Sequence, residues 1–523
     1  MVLLEGKTMH TNIGGLLAKR AALSPKLEGL YDVANGLRLN YTEFNARVDR
    51  AANMITGLGL KKGGRVALLL MNSIEFVESF LACAKLGLVV VPLNWRLVPD
   101  ELEFILKDSG STVLIFGGEF TANVDELHAR GAKTDLTHWL YVGPDTNCPK
   151  YARTYSALSK AASATPVDIT TGEDDTLFIM YTSGTTGLPK GVVHTHNTCF
   201  WAIATTSATA DMRLYDRFLL SLPMFHVAAL MPLMICIYKG LSCVMQRAFD
   251  PAATWKLIEA EKINFAALVP AMANFMLQVP EIETVDASSL RYFMCGAAPV
   301  PDHIVLSYHK RNIPVLQVYG LTETCMPACI VSLDDYMDKL GSTGKAFMHT
   351  DVRIIDMETG LDMPVNVPGE LITRSKHNMI AYWNREKATA ETLRDGWLYT
   401  GDIARMDADG YVYIADRSKD MIISGGENVY PAEIEGVLLT HPKICEVAVI
   451  GQASAKWGES PLAVVVKADP SLTVEDVLGF ANGKLSRFKL PKAAVFIDEI
   501  PRNPSGKVLK RVLREQFPDD APE

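Results

Sequence analysis

The chain has 523 residues, more than one ordinary domain holds, and a content of 48% hydrophobic and 21% charged residues is typical of a globular protein. A formal net charge of -9 argues against a nucleic-acid partner, because neutralising backbone phosphates requires a basic surface. Nine scattered cysteines, without Cys-x-x-Cys pairs or zinc-ligand spacing, predict reduced thiols in a cytoplasmic protein.

Helix and strand patterns alternate along the first part of the chain. Apolar residues at helical spacing over 44–55 predict a helix that stops near Gly57. A continuous apolar run over 65–71 predicts a strand that is covered on both faces. A helix over 74–85 and a second strand over 89–91 follow it.

The same alternation returns further along, where strands over 291–295 and 315–319 flank a helix that begins at Pro301. This rhythm predicts an α/β fold with a large N-terminal domain of parallel β-sheets and flanking helices. Ligands in such sheets bind at the carboxyl ends of the strands. The most apolar stretch, 222–238, contains two prolines and a histidine and is too short to span a bilayer. We therefore predict buried core there and no transmembrane segment.

The pattern changes in the last quarter of the chain. A strand over 410–415 runs into the charged turn 416–420, and Pro431 suits the first turn of a helix beyond it. We predict a domain boundary inside that turn, with an N-terminal domain over 1–416 and a small, mobile α+β C-terminal domain over 417–523.

The most informative stretch is 181–191, which follows a strand-like apolar run. Its glycines allow tight turns that present N–H groups to an anion, its hydroxyls add donors, and its lysine adds positive charge. It differs from the Walker loop, whose lysine stands between a glycine and a serine or threonine. A surface turn rich in glycine, serine and threonine is the structural alternative. The candidate phosphate-binding residues are Thr182, Ser183, Gly184, Thr185, Thr186, Gly187 and Lys190.

Four further segments, 319–324, 399–402, 416–420 and 504–507, follow this loop in an order typical of one superfamily. The chain resembles the adenylate-forming superfamily, which comprises acyl- and aryl-CoA synthetases, firefly-type luciferases and nonribosomal adenylation domains. It is most similar to bacterial fatty acyl-CoA synthetases and aryl-CoA ligases. The resemblance implies an AMP-forming acid–CoA ligase that uses ATP, Mg²⁺ and coenzyme A and passes through an acyl-adenylate.

The resemblance also implies roles for residues at the ATP site. Thr322 would hold the α-phosphate and Glu323 the Mg²⁺ ion, although a carboxylate at the start of a helix is the structural alternative for Glu323. Lys507 would offset the negative charge that builds up as the substrate carboxylate attacks phosphorus. Adenine would lie against the ring of Tyr319 and a set of small residues. These are Gly296, Ala297, Ala298 and Gly320.

The resemblance extends to the ribose and to the hinge. Asp402 would accept hydrogen bonds from both ribose hydroxyls with Arg417 beside it, and a surface ion pair is the alternative. Lys419 matches the hinge about which the C-terminal domain would rotate. That rotation would take Lys507 out of the site and bring in the Gly425–Gly426 loop, whose glycines would let the pantetheine arm pass close to the backbone.

Coenzyme A has two further candidate contacts. Arg487, Phe488, Lys489 and Lys492 form a basic cluster around one aromatic ring, which suits a phosphorylated adenosine. Solvated surface charge explains the same cluster equally well. Trp457 would border the thiol tunnel.

His226 lies where related enzymes have a gate beside the carboxylate, and a buried core histidine is the alternative. The acyl pocket is expected between the segment 222–233 and the strands that end near Gly296 and Gly320. Its candidate residues are apolar and uncharged, which favours a medium- or long-chain fatty acid, with a benzoate- or cinnamate-type acid as the alternative. These residues are Val227, Met231, Met294, Cys295, Leu321 and Met326.

Three other functions remain open. A freestanding adenylation enzyme would load a carrier protein instead of CoA, a silent scaffold would bind nucleotide without turnover, and a luciferase-like oxygenase would share only the first half-reaction. The presence of Lys507, Glu323 and the phosphate loop argues against the scaffold. The expected partners are the acid, ATP and CoA, and a homodimer is compatible with the sequence.

Overall fold

The structure is a computed structural model and describes residues 12–169, 171–182, 189–417, 420–424, 427–454, 458–482, 484–485, 489–502 and 508–518. The described chain divides into two compact units. The first contains residues 12–351 and 374–398, and the second contains residues 352–373 and 399–518. The predicted domain boundary at 416/417 marks a hinge for rotation. The division into compact units does not locate a hinge, so this boundary stays a prediction.

Helices occur throughout both units. They are α1 (Ile13–Leu23), α2 (Tyr41–Thr56), α3 (Ile74–Leu86), α4 (Pro99–Ser109), α5 (Thr121–Ala129), α6 (Tyr155–Ala161), α7 (His196–Thr209), α8 (Val227–Lys239), α9 (Pro251–Ala260), α10 (Pro270–Leu277), α11 (Asp302–His309), α12 (Glu386–Thr392), α13 (Pro431–Leu438), α14 (Val474–Ala481) and α15 (Lys510–Gln516).

Strands alternate with these helices. They are β1 (Glu28–Asp32), β2 (Leu37–Asn40), β3 (Arg65–Leu69), β4 (Val89–Pro92), β5 (Val113–Gly117), β6 (His138–Val142), β7 (Arg153–Thr154), β8 (Thr176–Thr182), β9 (Lys190–Thr195), β10 (Arg217–Leu220), β11 (Ser242–Met245), β12 (Phe265–Leu268), β13 (Tyr292–Cys295), β14 (Val315–Gly320), β15 (Pro327–Ile330), β16 (Lys345–Ala346), β17 (Thr350–Ile355), β18 (Gly369–Ser375), β19 (Ala381–Tyr382), β20 (Leu393–Arg394), β21 (Trp397–Met406), β22 (Val412–Arg417), β23 (Ile422–Ser424), β24 (Glu427–Val429), β25 (Ile444–Ser454), β26 (Gly458–Lys467) and β27 (Ala493–Phe496).

The first unit contains two large, mainly parallel sheets. One has nine strands in the order β16-β15-β14-β13-β12-β10-β11-β1-β2, with antiparallel pairs only toward its two edges. The other has eight strands in the order β19-β9-β8-β4-β3-β5-β6-β7, with antiparallel pairing between β8 and β9 and between β9 and β19. Crossover helices join the parallel strands, so the predicted α/β class is confirmed.

The burial of both faces of strand β3 explains why its sequence is apolar at every position after Arg65. Val66 and Leu68 face the main core, which also contains buried side chains of α2 and α3, whereas Ala67 and Leu69 face a second cluster with side chains of α4 and α5. Both faces of the strand are therefore covered, as the continuous apolar run predicts.

Local sequence signals mark the starts of three helices, although α2 begins at Tyr41 and not at the predicted residue 44. An Asn40–Glu43 capping box starts α2, the Ser73 hydroxyl caps α3, and Pro431 is the first residue of α13. The apolar stretch 222–238 lies largely in α8, whose side chains are mostly buried in the main core, as predicted. Among the described residues, no helix is long and apolar enough to cross a membrane.

The later part of the chain forms two five-stranded sheets. One has the order β17-β18-β21-β20 with β22 paired to β21, and the other has the order β24-β23-β26-β25 with β27 paired to β26. In the second sheet, the side chains of β25 alternate between two apolar clusters. One cluster also contains side chains of α13 and α14, and the other contains a side chain of α15. The C-terminal region is therefore α+β, as predicted.

One predicted strand lies two residues later than expected. The strand over 410–415 is observed at Val412–Arg417, so the first two residues of the predicted charged turn belong to it. Gly410 instead ends a tight turn with a left-handed φ of 84°, and the side chain of Asp407 accepts a hydrogen bond of 2.8 Å from the Tyr411 N–H.

Candidate active site

Strands β8 and β9, which flank the predicted phosphate loop in the sequence and form its stem, pair antiparallel. Thr182 and Lys190 lie opposite each other, and the Thr182 hydroxyl lies 3.5 Å from the Lys190 carbonyl oxygen. The Tyr181 hydroxyl donates to Asp108 at 2.6 Å, and a Cβ on Gly191 would lie 2.6 Å from Ile179. The loop residues Ser183, Gly184, Thr185, Thr186 and Gly187 lie outside the described residues.

Lys190 and Glu323 converge on one tyrosine that sequence reasoning did not identify. The Lys190 ammonium lies 5.0 Å from the centroid of the Tyr382 ring, and the Tyr382 hydroxyl donates to Glu323 Oε1 at 2.7 Å. Tyr382 is placed there because β19 pairs with β9, which opposes Tyr382 to Val192. Its only sequence signal is a Tyr-Trp pair in a polar stretch, which does not reveal this contact.

A short 3₁₀ turn, Thr322–Thr324, follows β14 and carries the predicted α-phosphate and magnesium residues. All three of its carbonyl oxygens accept hydrogen bonds. The first accepts from His194 Nε2 at 2.8 Å, the second from the Met379 N–H at 2.7 Å, and the third from His377 Nδ1 at 2.7 Å. The turn is thus fixed from two separate segments of the chain.

Sequence reasoning did not identify His194 and His377 either. Both are fully buried, and burial lowers the pKa of each imidazole to about 4, so both rings are neutral near pH 7. The signal for His194 was a histidine in an apolar strand, which must have a buried partner. His377 lies in the turn between β18 and β19 and carries no comparable signal.

The predicted adenine residues lie at the ends of two neighbouring parallel strands, β13 and β14. A Cβ on Gly296 would lie 2.4 Å from the Val318 carbonyl oxygen, and one on Gly320 would lie 2.6 Å from Pro327 Cα, so neither position has room for a larger residue. Ala297 and Ala298 are exposed, and Ala297 has a left-handed φ of 68°. Tyr319 is mostly buried at the end of β14, which leads to the Thr322–Thr324 turn.

His226 forms the N-terminal cap of α8 and is partly buried. Its ring lies 4.4 Å from that of Phe225, and the guanidinium of Arg96 lies 4.2 Å above the neighbouring Trp95 ring. Burial, and secondly the charge of Arg96, lower the pKa of His226 to about 4. The imidazole is therefore neutral near pH 7.

The predicted acyl-pocket residues divide between two apolar clusters. Five belong to or pack against the main core, namely Val227, Met231, Met294, Cys295 and Met326. Leu321 instead packs beside Val192, Met379, Tyr382 and Leu398. Burial raises the pKa of the Cys295 thiol to about 12, so this residue behaves as a small apolar side chain.

In the second unit, Asp402 and Arg417 lie opposite each other across the β21–β22 pair. Asp402 is 3% exposed, and its N–H donates to the Thr400 hydroxyl at 3.0 Å. Lys489 contacts both carboxylate oxygens of Glu433 at 2.7 Å. Seven other predicted residues lie outside the described parts of the chain. They are Lys419, Gly425, Gly426, Trp457, Arg487, Phe488 and Lys507.

The residues present fit a magnesium ion that arrives bound to ATP. Such an ion keeps several waters and takes only one or two carboxylates besides the phosphates, and Glu323, in the turn after β14, could provide one of them. Among the described residues, no three histidine, cysteine or carboxylate side chains form a metal cluster of their own.

Comparison with known proteins identifies the family. The AMP-binding enzyme family matches residues 17–383, and the AMP-binding enzyme C-terminal domain matches residues 433–507. The long-chain-fatty-acid–CoA ligase FadD13 of Mycobacterium tuberculosis is 44% identical over 98% of this chain and 99% of its own. A feruloyl-CoA synthase of Amycolatopsis is 37% identical over 97% and 99% of the two chains.

A solved structure agrees with these relatives. The o-succinylbenzoate CoA synthetase of Bacillus subtilis, in complex with ATP and a magnesium ion, has a TM-score of 0.85 and 30% identity over 96% of this chain and 99% of its own. The resemblance to the adenylate-forming superfamily is thereby confirmed, with both of its domains present. The chain belongs to the AMP-binding enzyme family.

Proposed function

We propose that this enzyme is an ATP-dependent acid–CoA ligase that acts on medium- or long-chain fatty acids. The observation that carries the proposal is the convergence of a cation, Lys190, and a carboxylate, Glu323, on Tyr382 beside the stem of the phosphate loop. This arrangement suits magnesium–ATP, whose phosphates attract the cation and whose ion attracts the carboxylate. Relatives named as CoA ligases over nearly the whole chain support CoA as the acceptor.

The first half-reaction forms the acyl-adenylate. A carboxylate oxygen of the acid attacks the α-phosphorus of ATP, a C–O–P linkage forms, and the bond to pyrophosphate breaks. Lys190 and the loop hydroxyls hold the leaving phosphates, Thr322 holds the α-phosphate, and Glu323 binds the Mg²⁺ that enters with ATP. Lys507 offsets the charge that develops on the α-phosphate.

The adenosine half of ATP lies along the ends of β13 and β14. The ring of Tyr319 stacks on adenine, and the small residues 296–298 and Gly320 allow the flat base to approach the backbone closely. Asp402 accepts hydrogen bonds from the ribose hydroxyls with Arg417 beside it. The opposition of these two residues across β21 and β22 supports their joint assignment.

The second half-reaction transfers the acyl group. The thiol sulfur of CoA attacks the acyl carbonyl carbon, the thioester bond forms, the bond to AMP breaks, and the thiol proton passes to solvent. A domain over 417–523 rotates against one over 1–416 about Lys419, which withdraws Lys507 and brings in the Gly425–Gly426 loop. One cavity then serves both steps.

Three residues of the C-terminal region are proposed to contact CoA. Trp457 borders the thiol tunnel, and Phe488 and Lys489 contact the phosphorylated adenosine. The ion pair between Lys489 and Glu433 qualifies this role, because a CoA phosphate must compete with the carboxylate for the ammonium group.

The acyl chain is expected among the apolar residues near the start of α8. His226 gates the carboxylate, and the buried methionines Met231, Met294 and Met326 can adjust their shape to different chains. The 44% identity to a long-chain-fatty-acid–CoA ligase supports the alkyl substrate. The feruloyl-CoA synthase at 37% identity supports an aryl acid as the second candidate.

We also place the enzyme in the cytoplasm, because all nine cysteines are free thiols, which persist in reducing compartments. We further propose that the chain forms a homodimer. Light scattering of the purified chain tests it, with a mass of twice 57.4 kDa as the positive result.

A panel of fatty and aryl acids with ATP, Mg²⁺ and CoA tests the proposal. AMP and a fatty acyl-CoA, identified by mass, should appear together, with the highest kcat/KM for a medium- or long-chain acid. A higher kcat/KM for an aryl acid would select the second candidate. Release of pyrophosphate without acyl-CoA would instead indicate a carrier protein as the acceptor.

A further inference from the structure

Two buried histidines hold the backbone of the Thr322–Thr324 turn, here named the catalytic turn, at its first and last residues. His194 lies on β9, the strand that begins with Lys190 at the stem of the phosphate loop. His377 lies just before β19, which carries Tyr382. Their ring nitrogens lie 2.8 and 2.7 Å from the carbonyl oxygens on either side of Glu323.

The carbonyl partners determine both tautomers. A carbonyl oxygen only accepts, so His194 must carry its proton on Nε2 and His377 must carry its proton on Nδ1. The second nitrogen of His194 lies 3.1 Å from the Thr198 hydroxyl, and that of His377 lies 2.7 Å from the Thr350 hydroxyl. Two different tautomers thus serve the same purpose at the two ends of one turn.

The turn needs such support because the backbone that leaves it is strained. Cys325, directly after the turn, has a φ of 61°, a conformation that non-glycine residues rarely adopt. Strained residues persist where the surrounding structure fixes them, and they cluster at functional sites.

We propose that His194 and His377 are positioning residues that orient Thr322 and Glu323 for magnesium–ATP through the backbone of the turn. Neither imidazole needs to touch the nucleotide, since each acts through a carbonyl oxygen. The inference rests on the proposed adenylation function, because it presumes that the turn binds magnesium–ATP. Partners of this indirect kind commonly change metal affinity or activity by about 10- to 100-fold.

The test compares variants that lose the donor with variants that keep it. His194→Leu and His377→Leu remove the N–H group, whereas His194→Gln and His377→Asn keep an amide N–H near the same position. His196→Leu is the matched control, because His196 is equally buried but accepts from the Ile13 N–H and does not touch the turn.

Binding of ATP with and without Mg²⁺ is measured by calorimetry, without acid or CoA, alongside each melting temperature. We expect both donor-free variants to bind magnesium–ATP about 10- to 100-fold more weakly, and the amide variants to remain within about threefold of the wild type. His196→Leu should melt earlier and bind normally. Unchanged magnesium–ATP affinity in the donor-free variants, or equal losses in the amide variants, would overturn the proposal.

Spectra of the wild-type protein labelled with ¹⁵N-histidine keep the test decisive if a leucine variant does not fold. His194 should show the Nε2–H tautomer and His377 the Nδ1–H tautomer at pH 7, and the reverse tautomer at either site contradicts the proposal. A different result would contradict the proposed function: the wild type would bind magnesium–ATP but form no acyl-adenylate with any tested acid.

Discussion

At the scale of single residues, Tyr382 connects the two charged groups of the candidate site. Its hydroxyl holds one oxygen of Glu323, and its ring lies against the ammonium group of Lys190. A phenol is suited to both contacts, because its O–H is a strong donor to a carboxylate and its face attracts a cation. Neither contact could be predicted from the sequence. Lys190 lies on β9 of one sheet, Glu323 lies in the turn after β14 of the other sheet, and Tyr382 follows both by many residues.

Tyr382→Phe removes the hydroxyl and keeps the ring. A hydrogen bond to a charged group contributes about 1.5–3 kcal/mol, so kcat/KM for ATP should fall about tenfold or more, with little change in KM for the acid. Steady-state kinetics at saturating CoA measure both values. Tyr308→Phe is the control, because its hydroxyl donates to the Ala273 carbonyl away from the site, and it should lower stability alone. Equal kcat/KM values for the wild type and Tyr382→Phe would contradict this role.

At the scale of elements, regular periodicity made the central strands and helices predictable. The helix predicted over 74–85 is observed at Ile74–Leu86, and the strand predicted over 89–91 is observed at Val89–Pro92. Both were predictable because burial on two faces and helix capping leave signals in neighbouring residues of the sequence. The two-residue strand β19 was not predictable, because it exists only through its pairing with β9. Its absence from the sequence interpretation explains why Tyr382 and His377 were not identified.

Close contact with neighbouring backbone requires the glycines at the ends of β13 and β14. The sequence analysis explained these glycines only by the approach of adenine. In Gly296→Ala, the new Cβ would lie 2.4 Å from the Val318 carbonyl oxygen, and the neighbouring strand ends must separate. We expect a loss of about 1–3 kcal/mol in stability together with weaker ATP binding. Thermal melting with and without ATP measures both.

Gly436→Ala is the matched control for this substitution. Gly436 lies inside α13, and a Cβ at this position would meet nothing within 4 Å, so alanine should stabilise the helix by up to about 1 kcal/mol and leave ATP binding unchanged. If Gly296→Ala behaves like Gly436→Ala, the contact with Val318 does not constrain the strand ends.

At the scale of the whole molecule, the sequence allowed the α/β class, the α+β C-terminal region and the family to be predicted. Each depends on patterns or motifs that are local in the chain. The convergence of Lys190, Tyr382 and Glu323 and the support of the catalytic turn by His194 and His377 depend on which strands become neighbours. Pairing of distant segments leaves no periodic signal, so these features emerged only from the structure.

Buried titratable groups also make the first unit sensitive to acid. His194, His196 and His377 are fully buried, and burial lowers the pKa of each to about 4 from an ordinary value of 6.5. Between these two values the unfolded chain binds more protons than the folded one, so stability falls as the pH is lowered. Each histidine contributes up to about 1.4 kcal/mol per pH unit in that window.

Glu78 acts in the opposite direction. Burial, partly offset by Arg47, raises the pKa of its carboxyl group to about 7, so the folded state binds the additional proton and stability falls as the pH rises from 4.5 to 7. These three histidines, together with His226, outweigh one carboxyl group, and the melting temperature should therefore fall as the pH is lowered from about 6.5 to about 4.5.

Two variants with opposite effects identify the groups responsible for this pH dependence. His196→Asn removes one of the buried imidazoles and should make the fall in melting temperature shallower, whereas Glu78→Gln removes the opposing carboxyl group and should make it steeper. Calorimetric melting of the wild type and both variants from about pH 4.5 to about pH 7.5 measures the three slopes. A wild-type melting temperature that is constant over this range, or parallel slopes for all three proteins, would show that these buried groups do not control the acid sensitivity of the first unit.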